Sequence, residues 1–343
     1  MTRPTYHRLR IRSVIDETPD ARSLTFDVPA ALASEFHYRP GQFLTLRIPH
    51  GEGHLPRCYS LASCPGADEP LRVTIKRVQG GRASNWVCDT LQAGDEIEVM
   101  PPAGVFTPKS LAGDFLLLAG GSGITPVFSI LRSALAEGEG RICLIYANRD
   151  PQSIIFREEL RSLASAYPHR LQVIHWLDQV QGVPSVAQLA ALATHWRQAD
   201  CFICGPSLFM DAAVEALRAI DIPPARIHVE RFVSLPEEGD LDVSDAAPAG
   251  GAMIPVEIDL NGAHHALACS DQEPILDAML RAGVDAPYSC RAGACATCMC
   301  TLVSGKVRLR HNDVLDKNDL VQGWILACQA VPETGPVQVR FPD

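Results

Sequence analysis

Near the end of the chain, Cys290, Cys295 and Cys298 are spaced C-x4-C-x2-C, and a fourth cysteine, Cys328, follows in the segment ILACQ. Four thiolates, three of them on one short loop, are what a plant-type [2Fe–2S] cluster requires. Ala292, Gly293 and Ala294 inside that loop are small enough to let backbone N–H groups approach the cluster sulfides. Hydrogen bonds of that kind help set a reduction potential. A zinc site more often pairs two C-x2-C units, and the second pair is missing. Cys300 falls outside the ligand pattern and reads as a packed thiol.

A second chemical signal is Gly120-Gly121-Ser122-Gly123-Ile124-Thr125-Pro126, placed between the apolar segment Phe115–Leu118 and an amphipathic stretch. Glycines let backbone approach a pyrophosphate closely, and a following helix supplies N–H donors and the positive end of its dipole. Pro126 suits a first helical turn. No Gly-Lys-Ser/Thr follows, so this is not a phosphate loop of the Walker kind. The third glycine of the full dinucleotide fingerprint is replaced by Pro126.

The elements that must position these residues fall into three textures. At about 150 residues per domain, 343 residues call for two or three domains. Over 1–110, short alternating segments such as Ser23–Val28, Gln42–Ile48, Leu71–Val78 and Glu96–Met100 predict antiparallel strands, with one helix near Ser84–Leu91. That pattern points to a small antiparallel β-barrel. Over 111–232, apolar strands (Phe115–Leu118, Ile142–Tyr146, Leu171–Trp176, Cys201–Cys204, Ile227–Glu230) alternate with helices near Pro126–Ala136, Arg157–Tyr167, Val186–Trp196 and Ser207–Ile220. Such alternation predicts an α/β domain with a parallel sheet. Residues 233–252, acidic and rich in small residues and proline, read as a linker. Residues 253–343 form a third unit, with strands near Ile254–Leu260 and Pro336–Phe341 and a helix near Pro274–Ala282.

The net charge of −10 argues against nucleic-acid binding, which needs clustered Lys and Arg. No apolar run approaches the length of a signal peptide core or a membrane span, so a cytoplasmic protein is expected. In a reducing compartment twelve cysteines do not read as a disulfide framework.

Residues 7–232 together resemble the ferredoxin–NADP reductase superfamily. Arg57-Cys58-Tyr59-Ser60 looks like its flavin motif, in which Arg57 would pair with a flavin phosphate, Tyr59 would stack on the isoalloxazine and Ser60 would hydrogen-bond near N5. Gly81, Ala83 and Ser84 resemble its pyrophosphate-binding turn, and Thr74 and Lys76 its positions on the ribityl and adenosine side. Gly121, Gly123, Thr125 and Pro126 match its nicotinamide-nucleotide loop, Cys204-Gly205-Pro206 its turn beside the nicotinamide, and Glu230-Arg231-Phe232 the end of the module. The resemblance implies FAD as cofactor, with Ser60, Cys204 and Glu230 tuning the flavin site. Asn148 and Arg149 stand where the family reads the ribose; Arg149 could meet a 2′-phosphate that Asp150 would repel.

The order of domains, ending in a plant-type ferredoxin unit of β-grasp-like α+β fold, is similar to the one-chain oxygenase reductases. Among these the chain resembles the reductase components of 3-ketosteroid 9α-hydroxylases, with the phenylacetyl-CoA epoxidase reductases as the alternative. Implied with that likeness are NADH as electron donor, a monomeric chain and a terminal, Rieske-type oxygenase as partner. Plant-type clusters sit near about −400 mV and Rieske centres at about −150 mV or higher, so electrons would run downhill to such a partner.

Overall fold

The structure is a computed structural model and describes residues 6–51, 53–67, 69–232, 251–288, 291, 293, 296–312, 314–315 and 317–342. The first domain contains β1 (His7–Thr18), β2 (Ala21–Asp27), β3 (Phe43–His50), β4 (Gly53–Ser60), β5 (Leu71–Lys76), α1 (Arg82–Thr90) and β6 (Glu96–Val99). Its sheet runs β4-β3-β6-β1-β2-β5, and neighbouring strands pair antiparallel. A bridge between Leu61 and Val73 joins the chain just past β4 to β5, and the Ala62 N–H donates to the Arg72 carbonyl at 2.7 Å. These contacts bring the two ends of the ladder together into the expected barrel. Leu9, Leu24, Leu44, Ile48, Val73 and Val99 fill it, because alternate strand residues point inward.

The second domain holds β7 (Phe115–Gly120), α2 (Ile124–Glu137), β8 (Ile142–Asn148), α3 (Arg157–Ala166), β9 (Leu171–Leu177), α4 (Asp178–Gln181), α5 (Val186–Ala193), β10 (Asp200–Cys204), α6 (Ser207–Ala219) and β11 (Ile227–Glu230). The five strands are parallel in the order β11-β10-β7-β8-β9. Every residue of β7 and β8 is buried, as a sheet covered by helices on both faces demands. Strand order reverses between β7 and β10, and in such sheets ligands bind outside the carboxyl ends at that switch point. The helix expected to reach Trp196 ends at Ala193 and tightens into a 3-10 turn over Thr194–Trp196.

The third domain contains β12 (Met253–Leu260), β13 (Ala263–Ser270), α7 (Ile275–Arg281), β14 (Met299–Leu309), α8 (Lys317–Val321), β15 (Trp324–Leu326) and β16 (Ala330–Arg340), in the mixed order β13-β12-β16-β14-β15. The strand expected from Pro336 is the second half of β16. Up to Pro336, β16 carries Pro332 and Pro336, which a doubly paired strand would exclude because proline has no N–H. There β16 pairs with β14 alone; its pairing with β12 begins at Val337. Gly251 and Ala252 already belong to this unit: Ala252 donates its N–H to Asp271 and accepts one from it. Among the described residues no helix is long and apolar enough to cross a membrane.

The first two domains meet across two crossed ion pairs. Arg72 of the barrel grips Glu159 at 2.8 and 3.1 Å, and Arg132 of the α/β domain grips Glu69 at 2.8 and 2.9 Å. Between them Phe128 stacks on Phe156 at 4.4 Å, and the Arg72 guanidinium lies 4.8 Å from the Phe156 ring.

Candidate functional site

On β4, strand alternation puts Arg57 and Tyr59 on one face and Cys58 and Ser60 on the other. Arg57 is half-buried and donates to the Pro56 carbonyl at 2.7 Å; burial of the Tyr59 ring holds its hydroxyl protonated. Ser60 is buried at the strand end. On β5, Thr74 is buried and its hydroxyl lies 2.7 Å from that of Ser23, which donates to Glu17 at 2.5 Å. Ser23 has one proton and gives it to Glu17, so Thr74 donates to Ser23 and keeps its lone pairs as acceptors. Gly81 precedes α1, and Ser84 closes the turn by accepting the Val78 N–H at 3.1 Å; Ala83 and Ser84 are buried. A phosphate at this turn would meet the helix N-terminus.

A cavity of about 700 Å³ opens between the two domains, lined by Lys76 from the barrel and by Gly121, Ser122, Pro206, Ser207 and Arg231, among others, from the α/β domain. Two long helices, α2 and α6, start at its wall. Helix N-termini with two cations make a site for an anionic pyrophosphate. Lys76 is 3.7 Å from Asp20, and Arg231 pairs with Asp211 at 2.7 Å. Phe232, nearly half exposed at 48%, stands at the cavity.

Beneath the cavity the β7–α2 loop and the β10–α6 turn pack backbone to backbone. A Cβ on Gly123 would sit 2.2 Å from the Cys204 carbonyl oxygen and 2.6 Å from the Gly205 nitrogen, so only glycine lets the loops close. The buried Tyr146 hydroxyl donates to the Gly121 carbonyl at 3.0 Å and accepts from the Ile155 N–H at 3.3 Å. Thr125 is buried and donates to the Ser122 carbonyl at 3.1 Å; Pro126, also buried, lies in the first turn of α2.

Strand register sets Cys204 beside Ala119 on one side and Glu230 on the other. Burial pushes the Cys204 thiol far up, and Glu230 adds to the rise. Desolvation also pushes Glu230 up to about 8. At neutral pH both side chains therefore carry their protons. At the end of β8, Asn148 is buried and neither of its amide atoms reaches a partner in hydrogen-bond geometry. Arg149 is tied to Asp150 at 2.8 Å, and Asp150 also accepts the Ser153 N–H. The fold thus brings Gly121 and Phe232 to the cavity wall, with Gly123, Cys204 and Glu230 at the strand ends behind it. Sequence reading missed Ser207 and Met210 as lining residues, and the clamp from Tyr146, because no local signal marks them; Arg231 was read only as part of the Glu230–Phe232 end of the module, without a role.

In the third domain Cys298 and Cys328 are buried, and the Ala327 N–H donates to the Cys298 carbonyl at 3.0 Å, so the two chain segments adjoin. Cys290, Cys295, Ala292 and Ala294 lie outside the described residues, as do linker residues 233–250. Arg291, Gly293 and Ala296 all have left-handed φ, at 51°, 75° and 54°. Two buried, adjoining thiols with no disulfide between them fit ligands of an iron–sulfur cluster.

Three family models match the chain in order: an oxidoreductase FAD-binding domain over 8–107, an oxidoreductase NAD-binding domain over 117–215 and a 2Fe-2S iron–sulfur cluster binding domain over 258–333. The chain is 50% identical to the ferredoxin reductase component of 3-ketosteroid-9-alpha-monooxygenase from Rhodococcus rhodochrous, covering 97% of this chain and 96% of that one. It is 37% identical to a component polypeptide of the 1,2-phenylacetyl-CoA epoxidase of Escherichia coli strain K12, covering 98% of both chains. The crystal structure of phthalate dioxygenase reductase superposes with a TM-score of 0.60 at 24% identity, over 99% of this chain and all of that one, and so shares the fold. The chain belongs to the three-domain ferredoxin reductases, in which an FAD-binding domain, an NAD-binding domain and a [2Fe-2S] domain follow one another on a single polypeptide.

Proposed function

We propose that this chain is the reductase of a 3-ketosteroid 9α-hydroxylating system, oxidising NADH and supplying electrons to a terminal, Rieske-type oxygenase. The carrying observation is the interdomain cavity: it is walled by Lys76, Arg231 and two helix N-termini over the switch point of a parallel sheet, in a chain half identical to such a reductase. Bound FAD would supply a hydride acceptor and a bound [2Fe-2S] centre a one-electron outlet, which suits a two-electron donor to a one-electron partner.

The protein's contribution is placement. Arg57 and the Gly81–Ser84 turn hold the flavin phosphates, Tyr59 offers a flat face and Ser60 a hydroxyl, and Thr74 offers an acceptor to the ribityl side. Gly121, Gly123, Thr125 and Pro126 shape the dinucleotide loop, Lys76 and Arg231 balance its charge, and Phe232 covers the mouth. Cys204 and Glu230, both neutral, keep water and fixed charge away from the reacting rings, where orientation carries most of the rate. Asn148 faces the ribose. Arg149 is already neutralised by Asp150, which favours a ribose without a 2′-phosphate and hence NADH. Cys290, Cys295, Cys298 and Cys328 hold the cluster. The chain acts as a cytoplasmic monomer, with the domains bounded near 110, 232 and 250.

Purified chain, loaded with FAD, iron and sulfide, should support NADH-dependent 9α-hydroxylation of a 3-ketosteroid by the oxygenase of such a system, and should turn over more slowly with NADPH. Product formation only with the oxygenase components of phenylacetyl-CoA epoxidase would assign it to that system instead.

A further inference from the structure

Gln329 follows the fourth cysteine, and its side chain is more than nine-tenths buried. A surface glutamine would avoid that cost; a buried amide must be hydrogen-bonded to offset it. Its Nε2 lies 2.7 Å from the Arg291 carbonyl oxygen and 3.7 Å from the Cys328 sulfur, and a primary amide has two N–H groups, one for each. The Gln329 main chain is fixed at both ends. Its N–H donates to the Leu326 carbonyl at 2.8 Å, and its carbonyl accepts from Arg310 at 2.9 Å.

Two described residues of the cluster loop, Arg291 and Gly293, come close to this amide. Arg291 has a left-handed φ of 51°, unfavourable for a non-glycine residue, and it is held there by an ion pair from its guanidinium to Asp277 on α7. Its carbonyl thereby faces Gln329. A Cβ on Gly293 would come within 3.1 Å of the Gln329 Cγ and 2.8 Å of the His311 carbonyl oxygen. Gly293 therefore lets its own backbone pass close to the glutamine stem.

We propose that Gln329 is a positioning residue that sets the reduction potential of the [2Fe-2S] centre, by donating one amide N–H to the Cys328 sulfur while the other anchors the cluster loop through Arg291. The proposal rests on the reading that Cys328 is a cluster ligand. An added electron makes the ligand sulfurs more negative, and a donor aimed at one of them stabilises the reduced form more than the oxidised form. Gln329 therefore raises the potential, and its loss must lower it.

The test is an EPR-monitored redox titration of the full chain, with iron content and visible circular dichroism as independent readouts. Gln329→Met keeps the length and loses the donors; Gln329→Glu keeps the shape and substitutes an acceptor. With iron content unchanged, Gln329→Met should reduce the reduced-to-oxidised ratio at a fixed ambient potential about tenfold, about 59 mV for one electron. Gln329→Glu should fall further. An unchanged or raised potential in both variants overturns the proposal. So does failure of both to hold a cluster, which would assign Gln329 to loop assembly alone. A wild-type chain that binds no cluster under the same loading would instead sink the ligand assignment itself.

Discussion

Replacing Gly123 by alanine isolates the part played by the contact between the two nucleotide-binding loops. Gly123 has φ −62° and ψ −8°, ordinary right-handed values, so alanine meets no backbone penalty there and would by itself rigidify the unfolded chain favourably. The whole effect is steric. The new methyl would lie 2.2 Å from the Cys204 carbonyl oxygen and 2.3 Å from its carbon, where contact needs more than about 3 Å, so the loops must part by about 1 Å. Overpacking of this kind costs about 1–3 kcal/mol. A 1 Å displacement of a positioned substrate can cost about 100-fold in rate. Gly123→Ala should therefore raise the KM for NADH at least tenfold in ferricyanide reduction and lower the melting temperature by a few degrees. Gly121→Ala is the control: its φ of +52° is strained for alanine, but its Cβ would meet nothing nearer than Lys76 Nζ at 3.8 Å. Gly121→Ala should thus cost stability and leave loop spacing intact. A Gly123→Ala protein with wild-type NADH kinetics and melting would refute the reasoning.

Three further outcomes are expected. Arg57→Ala should retain less than about a tenth of its flavin after gel filtration, since a bidentate phosphate contact contributes roughly 1.5–3 kcal/mol, and the absorbance ratio at the flavin band measures it. Cys328→Ser should lose the cluster EPR signal and cytochrome c reduction while NADH still bleaches the flavin; undiminished transfer to the oxygenase would contradict it. The raised carboxyl of Glu230 makes wild-type stability decline as pH climbs from about 4.5 toward 8, because the unfolded chain releases that proton first. Glu230→Gln lacks this decline, so in urea unfolding it should gain about 1–2 kcal/mol on wild type between pH 5 and pH 9, below the ceiling of about 1.36 kcal/mol per pKa unit because the side chain is not wholly dry. An equal difference at both pH values would count against it.

The parallel sheet was legible because its central strands are wet on neither face: Phe115–Gly120 and Ile142–Asn148 are buried throughout, and runs of mostly apolar residues say so directly. The part of β16 before Val337 was not, because Pro332 and Pro336 are tolerated only where a neighbouring strand is absent, which is a property of the sheet and not of the segment. Strand β1 carries bulges near Ile11–Ser13 and Asp16–Thr18 that break its alternation. Motifs with a local geometry, such as the glycine loop and the C-x4-C-x2-C spacing, were read from the chain alone. Lining groups such as Ser207 and Met210 come from segments that meet only after folding. The state of Arg149 likewise depended on the rotamer that delivers it to Asp150.

The two reciprocal Arg–Glu clamps that flank the Phe128–Phe156 stack each draw one charge from the barrel and one from the α/β unit. They work as a two-key lock: a barrel transplanted from a distant cousin brings its own versions of positions 69 and 72, and these must suit residents 132 and 159. Hybrid reductases assembled by exchanging these modules will keep a single relative orientation when that quartet is inherited together. When it is split, each mismatched half leaves an arginine or a glutamate stranded at the seam.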